Sequence, residues 1–174
     1  IELGLVGSEM CIRDSIDVCE TDSPFSLFGQ IDGTPENGGT WTDSNGNTVA
    51  DSFDPNTQAA GDYIYTLTTN NCSVFSTLSI NIETLPNAGS DNTVSICNDV
   101  PAFNLLSQLN GNPDTNGSFT DENGNAFGFN FNPDIHSSGV YTYTIDNGIC
   151  TASANLTVNV QTPPNAGQDS NRDI

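Results

Sequence analysis

Basic residues are almost absent from this sequence. Its 174 residues include no lysine, and only two arginines, Arg13 and Arg172, stand against 22 acidic side chains, for a formal net charge of −20. Proteins bind the phosphates of nucleic acids through lysine and arginine, so this composition excludes nucleic-acid binding. An anionic membrane surface would repel the chain for the same reason.

Long apolar runs are also missing. No stretch approaches the roughly 18 apolar residues that a membrane-spanning helix needs, so we expect no membrane insertion in this segment. Hydrophobic residues make up only 34% of the chain, and a lean apolar content with a high net charge is typical of disorder. The strand-like spacing of the tyrosines and phenylalanines described below argues against disorder and favours small domains with thin cores.

The first fifteen residues differ from the rest. They contain the only methionine, Met10, and one of five cysteines, Cys11. The string VGSEMCIRDS resembles translated sequencing-adapter read-through, and no basic region precedes its apolar stretch as a secretion signal would require. We therefore interpret residues 1–15 as a non-native leader; an ordinary N-terminal strand or short helix is the alternative.

An internal repeat is the strongest signal in the chain. A shift of 78 residues aligns the sequence with itself without a gap, and about 27 of the 73 positions from Cys19 to Asp91 are identical to their partners, which identifies a modular array. The unit is the length of one small β domain. The predicted organisation is the leader at 1–15, repeats at 16–88 and 89–166, and the start of a truncated third repeat at 167–174.

Each repeat has the pattern of an all-β domain. GDYIYTLT and GVYTYTI place tyrosines on one face with a period of two, and STLSINIE and ANLTVNV alternate in the same way. GTWTD and GSFTD each lead into an Asn-Gly pair, which predicts a two-residue hairpin because both residues tolerate positive φ. Short strands at regular spacing predict tandem β-sandwiches.

The cysteines follow the repeat. Setting Cys11 aside, each unit has one cysteine near its start and one 53 residues later, so we predict the intradomain disulfides Cys19–Cys72 and Cys97–Cys150. Free thiols remain an alternative. His136 is the only histidine and no Cys-x-x-Cys pair exists, so a zinc site is excluded. Disulfides would place the protein in an oxidising, extracellular or cell-surface compartment.

The order of these motifs resembles a known family. The unit reads as a cysteine, a TDxNGN turn, F(D/N)P, GxYxYT, a second cysteine and PNAG(S/Q)D. It is similar to the Ig-like or PKD-like repeats of secreted Bacteroidetes adhesins associated with gliding motility and type IX secretion. The resemblance implies a long surface protein in which such modules form stalks or adhesive arrays, with neighbouring repeats of the same chain as partners.

Few residues suggest chemistry. His136 lies in a polar loop and aligns with Gln58, so we expect no shared role for it and no enzyme activity. Two acidic turns supply oxygen donors at alternate positions before a glycine, which makes them calcium candidates, although an Asn-Gly hairpin turn whose aspartate caps its own backbone is the favoured interpretation. The candidate ligands are Asp43, Asn45, Asn47, Asp121, Asn123 and Asn125.

Two functions are consistent with these observations. The first is a non-catalytic structural or adhesive segment of a large secreted or surface-anchored bacterial adhesin, acting as a stalk or through many weak contacts. The second is an accessory carbohydrate-binding module of a secreted enzyme, in which Trp41 and Phe119 would stack on an extracellular polysaccharide if they are exposed. At a period of two, an aromatic between two threonines is expected to face the core instead.

Overall fold

The fold is all-β and repeats along the chain. A computed structural model describes residues 13–165, apart from Asn71, together with Gly167. Its contacts divide the chain into two compact units, one running to Leu85 and also containing the segment Gly148–Cys150, the other comprising Pro86–Asn147 and the residues from Thr151 onward. The division falls a few residues before the predicted boundary at residue 88.

Each unit is a sandwich of a five-stranded sheet and a two-stranded sheet. In the first unit the orders are β1-β7-β6-β3-β4 and β2-β5, and in the second they are β8-β14-β13-β10-β11 and β9-β12. The strands are β1 (Arg13–Cys19), β2 (Phe25–Ser26), β3 (Thr40–Thr42), β4 (Thr48–Val49), β5 (Ser52–Phe53), β6 (Gly61–Thr69), β7 (Cys72–Glu83), β8 (Asn92–Cys97), β9 (Phe103–Asn104), β10 (Ser118–Thr120), β11 (Ala126–Phe127), β12 (Asn130–Phe131), β13 (Gly139–Asp146) and β14 (Thr151–Gln161).

The predicted tyrosine strands form the centre of each large sheet. Along β6 and β13 the tyrosines alternate with more exposed residues and are buried against the facing sheet, as the period of two predicts. The equivalent segments FSLFGQI and FNLLSQL, whose residues suit either a strand or a short helix, each combine a two-residue strand with a short 3₁₀ turn, Phe28–Gln30 and Leu106–Gln108. Each unit therefore buries its own small aromatic and aliphatic core.

The second tyrosine of each central strand also ties down a loop. The Tyr143 hydroxyl donates to the Asp114 carbonyl at 2.6 Å and accepts from the Gly117 amide at 2.9 Å. Tyr65 makes the equivalent two bonds to Glu36 and Gly39. Glycine is required at these two loop positions because a Cβ on Gly117 would lie 2.5 Å from the Thr144 carbonyl oxygen.

In each unit the first strand pairs in parallel with the last. Cys19 at the end of β1 lies opposite Glu83 at the end of β7, and Cys97 lies opposite Gln161. Residues 13–15, which we interpret from the sequence as part of the non-native leader, are the first residues of β1. Ser15, for example, lies opposite Ser79. Residues 1–12 lie outside the described residues.

The disulfide prediction was wrong. Cys19 is bonded to Cys150, 131 residues away, with a Cα–Cα distance of 5.2 Å, and Cys72 and Cys97 are free. The predicted Cys19–Cys72 bond is excluded because Cys72 begins the 12-residue β7, whose ends lie roughly 36 Å apart at about 3.3 Å per residue. Cys97 and Cys150 are separated in the same way by the length of β14. A disulfide needs Cα atoms within about 7 Å.

The Tyr143→Phe variant tests the loop tie. It leaves the Gly117 amide and the Asp114 carbonyl without their partner, so we expect it to lower the free energy of unfolding by about 1–3 kcal/mol in urea titrations. Tyr141→Phe is the control, because its hydroxyl makes one bond, to the Ser137 carbonyl. Equal losses in both variants would contradict the two-bond explanation.

The Cys19→Ser/Cys150→Ser double variant tests the disulfide. Closing a loop of this length restricts the unfolded chain, and the chain-entropy estimate for its removal is a loss of roughly 5 kcal/mol in the free energy of unfolding. The Cys72→Ser/Cys97→Ser double variant should unfold like the parent. The pairing is contradicted if the two double variants are destabilised equally in denaturant titrations.

Candidate functional site

The same shallow depression is found once in each unit. In the first it is lined by Asp43, Ser44, Asn45, Val49 and residues 58–63. In the second it is lined by Asp121, Glu122, Asn123, Phe127 and residues 135–141. Apart from Ile135, the two sets are equivalent under the 78-residue shift, so this concave, acidic surface is the candidate site that the repeat itself carries.

An aspartate closes one side of the depression. Asp43 follows β3, and its Oδ1 accepts the amides of Asn45 and Asn47 at 2.9 and 2.8 Å. Its Oδ2 accepts the Asn47 side-chain amide at 3.0 Å. Asp121 makes the same three bonds at 2.9, 2.9 and 3.1 Å in the second unit. Each carboxylate therefore uses both oxygens to hold its own turn.

The turn differs from the predicted two-residue hairpin. Strand pairing stops at Thr42↔Thr48, so five residues connect β3 to β4. Gly46 has φ 81°, whereas Asn45 does not share this conformation, and a two-residue Asn-Gly turn would need positive φ at both. The aspartate explains the difference, because its carboxylate binds the Asn45 and Asn47 amides and stabilises the longer turn.

The hydrogen bonds also set the charge state of the turn. The Asn47 side-chain amide, together with backbone amides, lowers the pKa of Asp43, and Asn125 does the same for Asp121. Among the described residues, no group of three or more His, Cys, Asp or Glu side chains is placed to hold a metal ion. These bonds favour the capped-turn interpretation of the six candidate calcium ligands, and calcium binding is the alternative.

The opposite side of the depression is a loop with an unexpected cap. The Gln58 Oε1 accepts the Asp54 amide at 2.7 Å, and the His136 Nδ1 accepts the Asn132 amide at 2.9 Å. Gln58 and His136 therefore share a structural role, which the expectation of no shared catalytic role did not anticipate. Both side chains present an acceptor to the amide four residues earlier, and that common acceptor is the signal that sequence comparison of the repeats could have used.

A tyrosine forms the floor of each depression. The hydroxyls of Tyr63 and Tyr141 donate to the carbonyls of Ala59 and Ser137, both at 2.8 Å. Burial raises the pKa of both phenols, and the negative charge of Asp43 or Asp121 raises it further. The phenols stay protonated at neutral pH and act as hydrogen-bond donors to the loop.

Trp41 and Phe119 do not line a binding surface. Their exposed fractions are 5% and 1%, and each packs against the second tyrosine of its unit, with ring centroids 5.2 and 4.9 Å apart. Both are core residues, so the stacking role considered for them is wrong. The strand period explains this, since each aromatic faces inward between two outward-facing threonines.

We expect the acidic turns to make stability depend on pH. A carboxylate whose pKa is lowered by folding contributes stability above its ordinary pKa of 3.8 and loses it as the pH falls through the lower folded value. The Asp43→Asn/Asp121→Asn double variant keeps an acceptor oxygen but has no charge to lose. Its melting temperature should therefore fall less than that of the parent between about pH 5 and about pH 2. Parallel melting curves would contradict the contribution of these carboxylates.

The described residues contain no helix long and apolar enough to cross a membrane. Comparison with protein-family models found no match, and comparison with curated proteins found none either.

Solved structures show the fold. The extracellular domains 3–5 of Drosophila OTK are similar, with a TM-score of 0.53 and 14% identity, over 86% of this chain and 60% of that one. The titin I-band fragment I67–I69 has a TM-score of 0.42 at 12% identity, over 86% of this chain and 63% of that one. The N-terminal four Ig domains of Dscam1 have a TM-score of 0.37 at 14% identity, over 89% of this chain and 45% of that one. This chain thus spans less than two thirds of each, and it consists of tandem Ig-like sandwiches.

Proposed function

We propose that this chain is a non-catalytic structural segment of a large extracellular or surface-anchored bacterial adhesin. Its partners are neighbouring repeats of the same type. The resemblance of the repeat to those of secreted Bacteroidetes adhesins supports the bacterial adhesin, and the Ig-like fold and the disulfide are consistent with an extracellular location.

The observation that carries the proposal is the use of the repeated positions. A function delivered once per repeat has to rely on residues that both repeats share. In this chain the shared aromatics are buried in the cores or packed half-buried against them, the shared aspartates cap turns and the shared tyrosines tie down loops. The shared positions thus stabilise the fold of each domain. This supports a structural role, in which the folded domains serve as building units of a longer protein.

The alternative, a carbohydrate-binding module, has less support. Sugar-binding surfaces rely on exposed aromatic side chains, and the two aromatics proposed for stacking are in the cores. The aromatic floors of the depressions, Tyr63 and Tyr141, are also buried and their hydroxyls are bound to backbone carbonyls. We therefore propose a structural segment as the function. Binding of an extracellular polysaccharide is the alternative that an experiment has to test.

A glycan array probed with the full oxidised chain tests the proposal. We expect no saturable binding to any polysaccharide, with or without calcium, and a melting temperature that calcium leaves unchanged. The Asp43→Asn/Asp121→Asn double variant is the matched control for both measurements, because it keeps one acceptor oxygen in each turn and removes the two charges.

Two results would overturn the proposal or part of it. Saturable binding to one glycan class would favour the carbohydrate-binding module. A rise in melting temperature with calcium that the double variant lacks would assign a calcium site to the acidic turns.

A further inference from the structure

The two first-strand cysteines occupy the same backbone position. Cys19 lies opposite Glu83, and the next amide, that of Glu20, donates to the Glu83 carbonyl at 3.0 Å. Cys97 lies opposite Gln161, and the Asn98 amide donates to the Gln161 carbonyl at 2.9 Å. Cys19 forms a disulfide there, whereas Cys97, which is half-buried, is a free thiol.

The two hairpin cysteines are also equivalent by sequence, but their surroundings differ. Cys150 is buried and belongs, with Gly148 and Ile149, to the first unit. Cys72 is exposed at the end of the β6–β7 hairpin, and next to it Val74 and Phe75 have exposed fractions of 65% and 57%. The free cysteine is thus accompanied by an apolar surface that nothing in its own unit covers.

The end of each hairpin reflects this difference. In the first unit, strand pairing continues to Thr69↔Cys72. In the second unit it stops at Asp146↔Thr151, which is equivalent under the 78-residue shift to Thr68↔Ser73. The second hairpin is thus one pair shorter, and Cys150 lies outside the paired residues. The hairpin cysteine is part of the strand pairing where it is a free thiol, and it is outside the pairing where it forms a disulfide.

From these observations we infer that the disulfide is one link of a series. Cys97 bonds the hairpin cysteine of another repeat of this type, as Cys19 bonds Cys150. Cys72 bonds the first-strand cysteine of a further repeat, and Val74 and Phe75 are covered in that contact. This inference goes beyond the proposed function and does not depend on any ligand.

The two PNAG segments, at residues 86–89 and 164–167, are consistent with a further repeat of this type. The backbone amide of Asn87 donates to the Asp114 carboxylate at 3.0 Å, and its side-chain amide donates to the Gly111 and Asn112 carbonyls at 2.9 and 3.0 Å, all within the second unit. Its Oδ1 also accepts the Gly89 amide at 2.9 Å. Asn165 accepts the Gly167 amide at 2.8 Å in the same way. Asn165 therefore has the local turn of Asn87, and its amide groups are equivalent in sequence to those with which Asn87 binds the second unit.

The chemistry is oxidation of two thiols to one disulfide. The two cysteines lose two protons and two electrons as the S–S bond forms. The electrons pass by thiol–disulfide exchange to an oxidant of the disulfide class, such as oxidised glutathione, which is reduced to two thiols.

Peptide mapping tests the pairing in the full chain. After oxidation in glutathione buffer and alkylation of free thiols, cleavage after Glu and Arg separates all five cysteines, because Arg13, Glu20, Glu83 and Glu122 lie between them. We expect peptide 14–20 linked to peptide 123–172, with Cys72 and Cys97 alkylated in the monomer. Linkage of Cys72 to Cys11 or to Cys19 would overturn the inference.

An extended chain tests the new link. A copy of residues 90–167 is added after Gly167, and two variants are compared by the same mapping. In the variant with Cys150→Ser in the original repeat, Cys97 should form a disulfide with the hairpin cysteine of the added copy. With that added cysteine changed to serine instead, Cys97 should be alkylated. The opposite pattern, which bonding within a repeat gives, would overturn the inference, as would an alkylated Cys97 in both variants.

A mixing experiment distinguishes a following repeat from a second copy. If separate chains join, a mixture of Cys72→Ser and Cys97→Ser proteins forms dimers linked from Cys97 of one to Cys72 of the other, in excess over either protein alone. If only repeats of one polypeptide join, the mixture stays monomeric while the extended chain forms its link. Dimers of Cys72 with Cys72 or Cys97 with Cys97, at the level of the mixture, would overturn the inference.

Discussion

The parallel pairing of the first and last strands in each repeat determines much of the rest of this structure. It places the end of β1 beside the end of β7, so the first cysteine of a repeat lies at the end of the sheet opposite the hairpin cysteine. The regular spacing of the cysteines suggests a bond within each repeat, but the length of the strand forbids it. The only disulfide among the described residues instead joins cysteines of two sequence repeats, at the one place where they are close enough to bond.

The two repeats solve the same packing problem with partly different residues. Trp41 is matched by Phe119 against a tyrosine, and Gln58 is matched by His136 as an acceptor for a loop amide. What is kept is the physical role rather than the residue type. A thin core tolerates the exchange of one aromatic for another, while each buried or half-buried amide still needs its acceptor.

Much of the sheet was predictable from the sequence, because alternation alone shows which side of β6 and β13 faces inward. Several features were not. The start of β7 at Cys72 has no alternation of burial, since its first four residues are all exposed. The choice between a two-residue and a five-residue turn depends on a carboxylate that reaches its own backbone. The disulfide depends on strand direction, and residue spacing carries no information about whether an edge strand pairs in parallel or antiparallel fashion. In the candidate depression, the turn aspartates Asp43 and Asp121 were found from the sequence, whereas the acidic lining residues Asp62 and Glu122 and the loop cap opposite the turn became visible only from the structure.

The disulfide also changes how the chain would respond to tension. A force applied to the two ends reaches Cys19 and Cys150 first and passes between them through a single covalent bond. The segment between them, with a sequence separation of 131 and a length of roughly 460 Å at about 3.5 Å per residue, then cannot be extended while that bond is intact. Most of this chain thus carries no force while the bond is intact, and its length is released when a reducing agent breaks the bond.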